Sequence, residues 1–165
     1  MIVAESKKYD TGNVITGVAG KKGFSVLTIE KDMMNSEIGF GRRVLEVLEV
    51  NGICFEHLPS GIDNMSVVMN TADIENKRDA LKNGICREVN PDKIDIEDGL
   101  ALVAVVGRAM VKAKGTAARV LKAISGADIN VRTIDQGSSE ISIIVGVDVA
   151  DFENALRAIY QEFVY

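Results

Sequence analysis

The stretch Ser36-Glu37-Ile38-Gly39-Phe40-Gly41-Arg42-Arg43 has the residue types to hold a small charged ligand. It follows a strand-like run and leads into a helix-like one. Its glycines let backbone approach a ligand closely, and the start of a helix presents unpaired N–H groups and a partial positive charge. A polyphosphate cradle needs G-x-x-x-x-G-K-[ST], and a dinucleotide turn needs a third glycine; neither pattern is present. The spacing therefore suits one carboxylate. The same glycines would also relieve a tight strand-to-helix turn, and a glycine at the matching place later in the chain, Gly115, supports geometry as part of the answer.

Other chemistry is poorly provided for. The only histidine, His57, has no Ser or Cys partner at a motif spacing and reads as a strand histidine, hydrogen-bonded or at the surface. Cys54 and Cys86 stand alone rather than in a CxxC pair, which predicts a reducing, cytoplasmic setting for a soluble protein and no metal site. A net charge of −5 and a pI of about 5.0 lack the basic footprint of a nucleic-acid binder. Apolar runs such as Ala101-Leu102-Val103-Ala104-Val105-Val106 are too short to span a membrane, and "MIVAESKKYD" lacks the apolar core of a signal peptide. With 47% hydrophobic and 26% charged residues over 165 positions, the chain has room for one large globular domain or two small ones.

The elements that would position the glycine turn are written twice. Displaced by about 76 residues, the chain matches itself without a gap. Gly23 then falls on Gly99, Met34 on Met110, Gly39 on Gly115, Arg43-Val44-Leu45 on Arg119-Val120-Leu121, and Gly61 on Gly137. Each repeat opens with a β-branched, apolar run, Phe24–Glu30 and Leu100–Val106, predicted as a strand. A helix follows, with Phe40, Val44, Val47 and Leu48 on one face in the first repeat and Ala117, Val120, Leu121 and Ile124 in the second. Strand pairs are predicted next: Ile53–Leu58 with Met65–Met69, and Ile129–Ile134 with Glu140–Val147. A second helix closes each repeat. The first of these is capped by Asn70 or Thr71 and predicted to end at Gly84; the other carries Phe152, Ala155, Leu156, Ile159 and Phe163 as a stripe. "ICREVN" is the predicted fourth strand of the first repeat. The second repeat lacks one, so Val14-Ile15-Thr16-Gly17-Val18 is predicted to complete its sheet. The fold class expected is α+β: two ferredoxin-like βαββαβ units, antiparallel sheets with helices on one face. RNA-recognition modules share this order but display stacking aromatics, whereas Val67, Val68, Ile143 and Ile144 stand here.

With the glycine before the first helix of each repeat, this pattern resembles the paired ACT domains of the aspartokinases. The resemblance runs from "VITGVAG" to "RAIYQEF". Its most specific segments are "TIEKDMMNSEIGFGRRVLEVLEVNGICFEHLPSGIDNMSVV" and "VAVVGRAMVKAKGTAARVLKAISGADINVRTIDQGSSEISIIV". The first is similar to lysine-sensing monofunctional aspartokinases, in which Met and then Gly-Phe precede the helix. The second is similar to the common ACT pattern G-x-x-M…G-x-x-A followed by I-N-V…I-x-Q-G-S-S-E.

The resemblance implies a regulatory region of an aspartate kinase, an enzyme that phosphorylates the side-chain carboxylate of L-aspartate. The catalytic domain, with its ATP and magnesium, would precede this chain, which itself is expected to hold no cofactor, no catalytic residue and no activity alone. Implied divisions are a connection from the kinase domain (1–12), a strand completing the second ACT unit (13–20), an effector-binding first ACT unit (21–96) and a second ACT unit (97–165). Expected partners are the aspartokinase catalytic domain, a second copy of the chain through ACT–ACT contacts, and an end-product amino acid acting by feedback inhibition. Lysine is the leading effector and threonine a further candidate. Neither nucleic acid nor membrane is expected. Carried over residue by residue, the effector positions are Met34, Glu37, Gly39, Phe40 and Gly41 in the loop and Phe55, Glu56 and Ser60 on the strand that follows. The helix amides would take the effector carboxylate, and Glu56 or Glu37 its ammonium. "PSGID" departs from the Thr-Ser-Glu type segment of lysine-sensing members, leaving Ser60 to serve and Asp63 as a substitute acid. Met34 and Phe40 also suit a core, Glu37 a helix dipole, and Arg42 and Arg43 a solvated face. Arg132 replaces Glu56 in the second repeat, so only the first looks built for a basic amino acid. A free-standing ACT pair without a kinase is the alternative.

Overall fold

The computed structural model describes residues 14–164; the predicted connection at 1–12 lies outside them. Two long strands form the spine: β1 (Gly17–Glu30) and β3 (Lys93–Val106), paired antiparallel along nearly their whole length. With β2 (Asn64–Asn70), β4 (Thr133–Asp135) and β5 (Ser142–Asp148) they make one sheet in the order β2-β1-β3-β5-β4. Helices α1 (Phe40–Val50), α2 (Thr71–Ile74) and α3 (Arg78–Val89) accompany the first half, and α4 (Thr116–Gly126) and α5 (Phe152–Val164) the second. Among the described residues no helix is long and apolar enough to cross a membrane.

Each half has its own core. In the first, Leu27 and Ile29 of β1 and Val67 and Met69 of β2 pack against Val44 and Leu48 of α1 and Leu81, Ile85 and Val89 of α3. In the second, Ala101, Val103 and Val105 of β3 and Ile143, Val145 and Val147 of β5 pack under Val120 and Ile124 of α4 and Ile159 of α5. Period-two alternation on the strands and the three-to-four spacing on the helices supply these faces. A further cluster of Phe24, Val68, Leu100 and Leu102, with Val26 and Ile144 beside it, lies on the strand faces turned away from the helices and joins the two halves.

The spine is broken by irregular pairing between Lys22 and Val26, where Gly23 (φ 91°) and Gly99 (φ 78°) sit in the left-handed region. A bulge shifts side-chain parity. Hence Ile94 and Ile96 face the first core while Ala101 and Val103, an odd number of residues further on, face the second. The positive angles recur at the repeat spacing: Gly39 with Gly115, at 79° and 87°, and Gly52 with Asp128, at 60° and 57°.

The pairing gives β1 and β3 a double role. Gly17–Lys22 pairs with Ala101–Val106, and Val26–Glu30 pairs with Lys93–Glu97. The strand that closes the first half is therefore the start of β3, and "ICREVN" is not a strand: Ile85–Val89 form the last turns of α3, which ends on Asn90 at φ 45°. Nor does a helix end at Gly84. That residue lies inside α3, where a Cβ would come within 2.7 Å of Val47 Cγ1, so glycine is what lets α1 and α3 approach. Of the predicted strand Ile53–Leu58 only a bridge from His57 to Val68 forms, followed beyond its end by one from Ser60 to Met65, along the outer edge of β2. Only the end of the predicted strand Ile129–Ile134 pairs, as part of β4.

Candidate functional site

The chain leaves β1 at Glu30, makes a short 3-10 turn over Met34–Ser36, and enters α1 through Gly39. At φ 79° and ψ 9° Gly39 occupies a conformation that a Cβ disfavours, so the glycine is required by the turn itself. No side chain caps α1; the Phe40 amide donates to the Glu37 carbonyl at 3.2 Å. The loop is braced from the far side by the segment before β2. Asn35 N donates to Ile62 O at 3.1 Å, Lys31 N to Asp63 O at 2.9 Å, and Met33 N to the Asp63 carboxylate at 3.0 Å. Ser60 bridges to Met65, whose methyl group lies 3.9 Å from the place a Gly41 Cβ would occupy.

The eight predicted positions thus fall into four groups. Gly39 and Gly41 form the start of α1, and Ser60, exposed, is linked to it only through its bridge partner Met65. Met34 and Phe40 turn their side chains into the first core, so only their backbones face the loop. Glu37 is already engaged: Lys31 Nζ lies 2.6 Å from one carboxylate oxygen and the Arg43 guanidinium grips the other. Phe55 and Glu56 are exposed on the outer edge of β2; Glu56 N donates to Val68 O at 2.8 Å and its carboxylate accepts from Asn70 Nδ2 at 3.4 Å. That is three β2 residues beyond Met65, roughly 10 Å along the strand.

A family model described as ACT domain matches residues 103–163, the second half of the fold. Aspartokinase 3 of Bacillus subtilis is 43% identical over 160 residues, covering 96% of this chain and 35% of that protein. The crystal structure of the aspartate kinase of Clostridium acetobutylicum superposes with a TM-score of 0.88 at 49% identity, covering 90% of this chain and 34% of the other. This is the ACT-type regulatory fold of the aspartokinases. The regulatory subunit of aspartate kinase from Thermus flavus shares the fold at 21% identity, with a TM-score of 0.77 over 90% of this chain and 98% of that one. The chain spans about a third of the length of the Bacillus subtilis and Clostridium acetobutylicum proteins.

Within the ACT fold, two residues matter that sequence reasoning left at the margin. Lys31 ties the loop together, donating to Val89 O at the end of α3 (2.5 Å) as well as pairing with Glu37. Arg43, expected on a solvated face, is held against the loop by Glu37 and by Ile38 O at 3.4 Å. The (i, i+4) spacing from Gly39 was the signal: one turn into a helix, a side chain points back over the N-terminal turn. Arg42 behaves as expected of a solvated residue, pairing with Glu46 along the helix at 2.7 Å. In the second ACT-type loop Thr116 replaces Phe40 and bonds Ala113 O at 3.1 Å, and no acid stands where Glu37 does.

The hydrogen bond from Lys31, aided by the charges of Lys31 and Arg43 and opposed by burial, holds the Glu37 carboxyl below its ordinary 4.5. Asp98 is likewise held below 3.8, by hydrogen bonds from Arg78 and Ser25, with burial again opposing. A carboxyl whose folded pKa is depressed adds stability above its unfolded value and loses it as pH falls through the lower folded one. The stability gap between the parent chain and Glu37→Gln should therefore be widest above the ordinary carboxylate range and narrow as pH falls through and below it, read from urea midpoints. A gap that does not change with pH would detach Glu37 from acid stability.

Proposed function

We propose that this chain is the regulatory region of an aspartate kinase and that it binds an end-product amino acid, lysine, to restrain an attached catalytic domain. The observation that carries the reading is the uncapped α1 start at Gly39, held open by a braced loop, in a chain that matches an aspartokinase along 96% of its length. Helix amides there suit a carboxylate. Glu56, with no cation pressed against it among the described residues, suits the terminal ammonium, and a separation of roughly 10 Å along the strand favours a long basic effector over a short one. Escherichia coli aspartokinase III, a fold neighbour at 19% identity, was crystallised in complex with lysine and aspartate.

The effector would lie where two copies of the chain meet. Met33, Ile38 and Ile62 are exposed around the loop, Ile38 at 96%, and such a patch on a folded surface marks a contact. Lysine binding at that contact would favour one arrangement of the paired chains, and through reciprocal coupling bias the kinase. ATP and magnesium would belong to the catalytic domain; among the described residues no group of three or more His, Cys, Asp or Glu could hold a metal ion.

Calorimetric titration with L-lysine tests the reading. Glu56→Ala is expected to weaken binding by about 10- to 100-fold, the range of a lost charge-assisted hydrogen bond. Unchanged affinity would remove Glu56 from the site, and absence of lysine binding to the parent chain would overturn the choice of effector.

A further inference from the structure

The two halves share the long strands β1 and β3, and both strands are irregular where they pass from one half to the other. Lys22 stands opposite Ala101 and Phe24 opposite Leu100, so Gly23 is an extra residue on β1. Val26 then stands opposite Glu97, so Asp98 and Gly99 together face Ser25 alone and β3 carries an extra residue in turn. The two offsets cancel, and regular pairing resumes on either side. Both glycines have positive φ, and the space beside them is slack. Chain neighbours aside, a Cβ at Gly23 would meet nothing within 4 Å, and one at Gly99 only Val149 Cγ1 at 4.0 Å. A cleft of about 320 Å³ lies alongside, lined by Val26, Val68, Leu100 and Arg132 among others.

Backbone alone would leave this crossing pliant, yet side chains grip it from both halves. From the first half, Arg78 at the start of α3 donates through Nη2 to both Asp98 carboxylate oxygens, at 2.8 and 3.0 Å. Ser25, fully buried, donates to the same carboxylate at 2.5 Å and shares a hydrogen bond with Thr71 Oγ1 at 2.8 Å, which ties the crossing to α2 as well. From the second half, Arg132 pairs with Glu97 at 2.6 Å and donates to Asp98 O at 3.4 Å. Neighbouring residues of one strand thus carry an arginine from each half.

We propose that Gly23 and Gly99 form a hinge between the halves, and that Arg78 and Arg132 clamp it. The clamp fixes the angle at which the loops at Gly39 and Gly115 are presented. A hinge needs a few positions that absorb backbone rotation, and glycines without close neighbours do so at least steric cost. Each half keeps its own core under its own helices, so a pivot at the crossing leaves both packed. Phe24 and Leu100, which directly follow the two glycines, pair in register within the apolar cluster that joins the halves and serve as the fulcrum. Away from the crossing the halves meet again where His57 Nδ1 lies 3.3 Å from Asp135, a contact that a pivot would open.

Residual dipolar couplings of backbone amides in the isotopically labelled 165-residue chain test the proposal. In the parent chain a single alignment frame should fit both halves. Arg78→Met combined with Glu97→Ala removes the grip from each side, and it buries no new charge, since Asp98 and Glu97 are 52% and 64% exposed. Each half of this variant should still fit a frame of its own, but the common fit should be lost, with one half aligned less strongly than the other. Line broadening from slow pivoting should appear at the amides of His57 and Asp135. Arg42→Met, which breaks an ion pair confined to α1, is the control and should keep the common frame. Should the double variant fail to fold, Glu97→Ala alone is read in the same way, with a smaller loss of the common fit expected. A common frame kept in every variant that folds would overturn the hinge. A parent chain that already needs two frames would overturn the clamp, and a misfit inside either half would make the arginines supports of the cores instead.

Discussion

Leu27→Ala is expected to lower the stability of the chain by about 2–5 kcal/mol. Leu27 is fully buried, flanked in register by Val67 on β2 and Ile96 on β3, and covered by α1 and α3. Truncation removes its transfer free energy and leaves a void, because neighbours held by ladders on both sides cannot collapse into it. Ile38 is the control. Nearly all of its surface is exposed, so Ile38→Ala should change stability by no more than about 0.5 kcal/mol. Urea unfolding checks both, and comparable effects would contradict the assignment of Leu27 to the core.

Val103→Asp should have the largest effect of any single change considered. Val103 is fully buried in the second core and lies between β1 and β5, opposite Gly20 and Val145. A carboxylate there has no cation partner, and an unpaired buried charge costs several kcal/mol, a large share of the roughly 5–15 kcal/mol that a domain has in hand. Loss of packing in the second core should spread, since the strand carrying Val103 also carries Ile94 and Ile96 of the first. Amide exchange at Leu27 and Val67 is therefore expected to lose protection together with that at Val145. A first half that stays protected would show that the two cores unfold independently.

What the sequence disclosed follows from which forces are local. The repeat was legible because it preserves backbone needs: Gly23 and Gly99, and Gly39 and Gly115, take positive φ for the same steric reason in both copies. Helices α1, α4 and α5 were legible from their apolar stripes. The misreading of "ICREVN" came from treating Ile85 and Val89 as strand residues, although with Leu81 they fall four apart on one helix face. Conversely, the alternation of Lys93, Ile94, Asp95, Ile96 and Glu97 is the period-two pattern of a half-buried strand, and it marks the closing strand of the first half.

The glycine-opened turn was likewise written in the chain, since Gly39 has the conformation its place demands. The state of its neighbours was not. That Lys31 and Arg43 occupy Glu37 depends on α3 ending beside the loop, a tertiary fact. The cleft around Arg132 was out of reach for the same reason. Its lining is contributed by β1, β2, β3 and the approach to β4, which lie far apart in the chain.

Strands that finish one repeat and begin the other have a consequence for how this region could be recombined. Residues 17–22 belong by pairing to the half of the sheet whose remaining strands arrive some eighty positions later, and Lys93–Glu97 belong to the half that opened with β1. No cut between the copies leaves two self-sufficient pieces: each product would surrender a strand to the other. A chimera that grafts one repeat onto a foreign enzyme would expose a raw sheet edge, whereas one that transplants both together carries all its pairing with it.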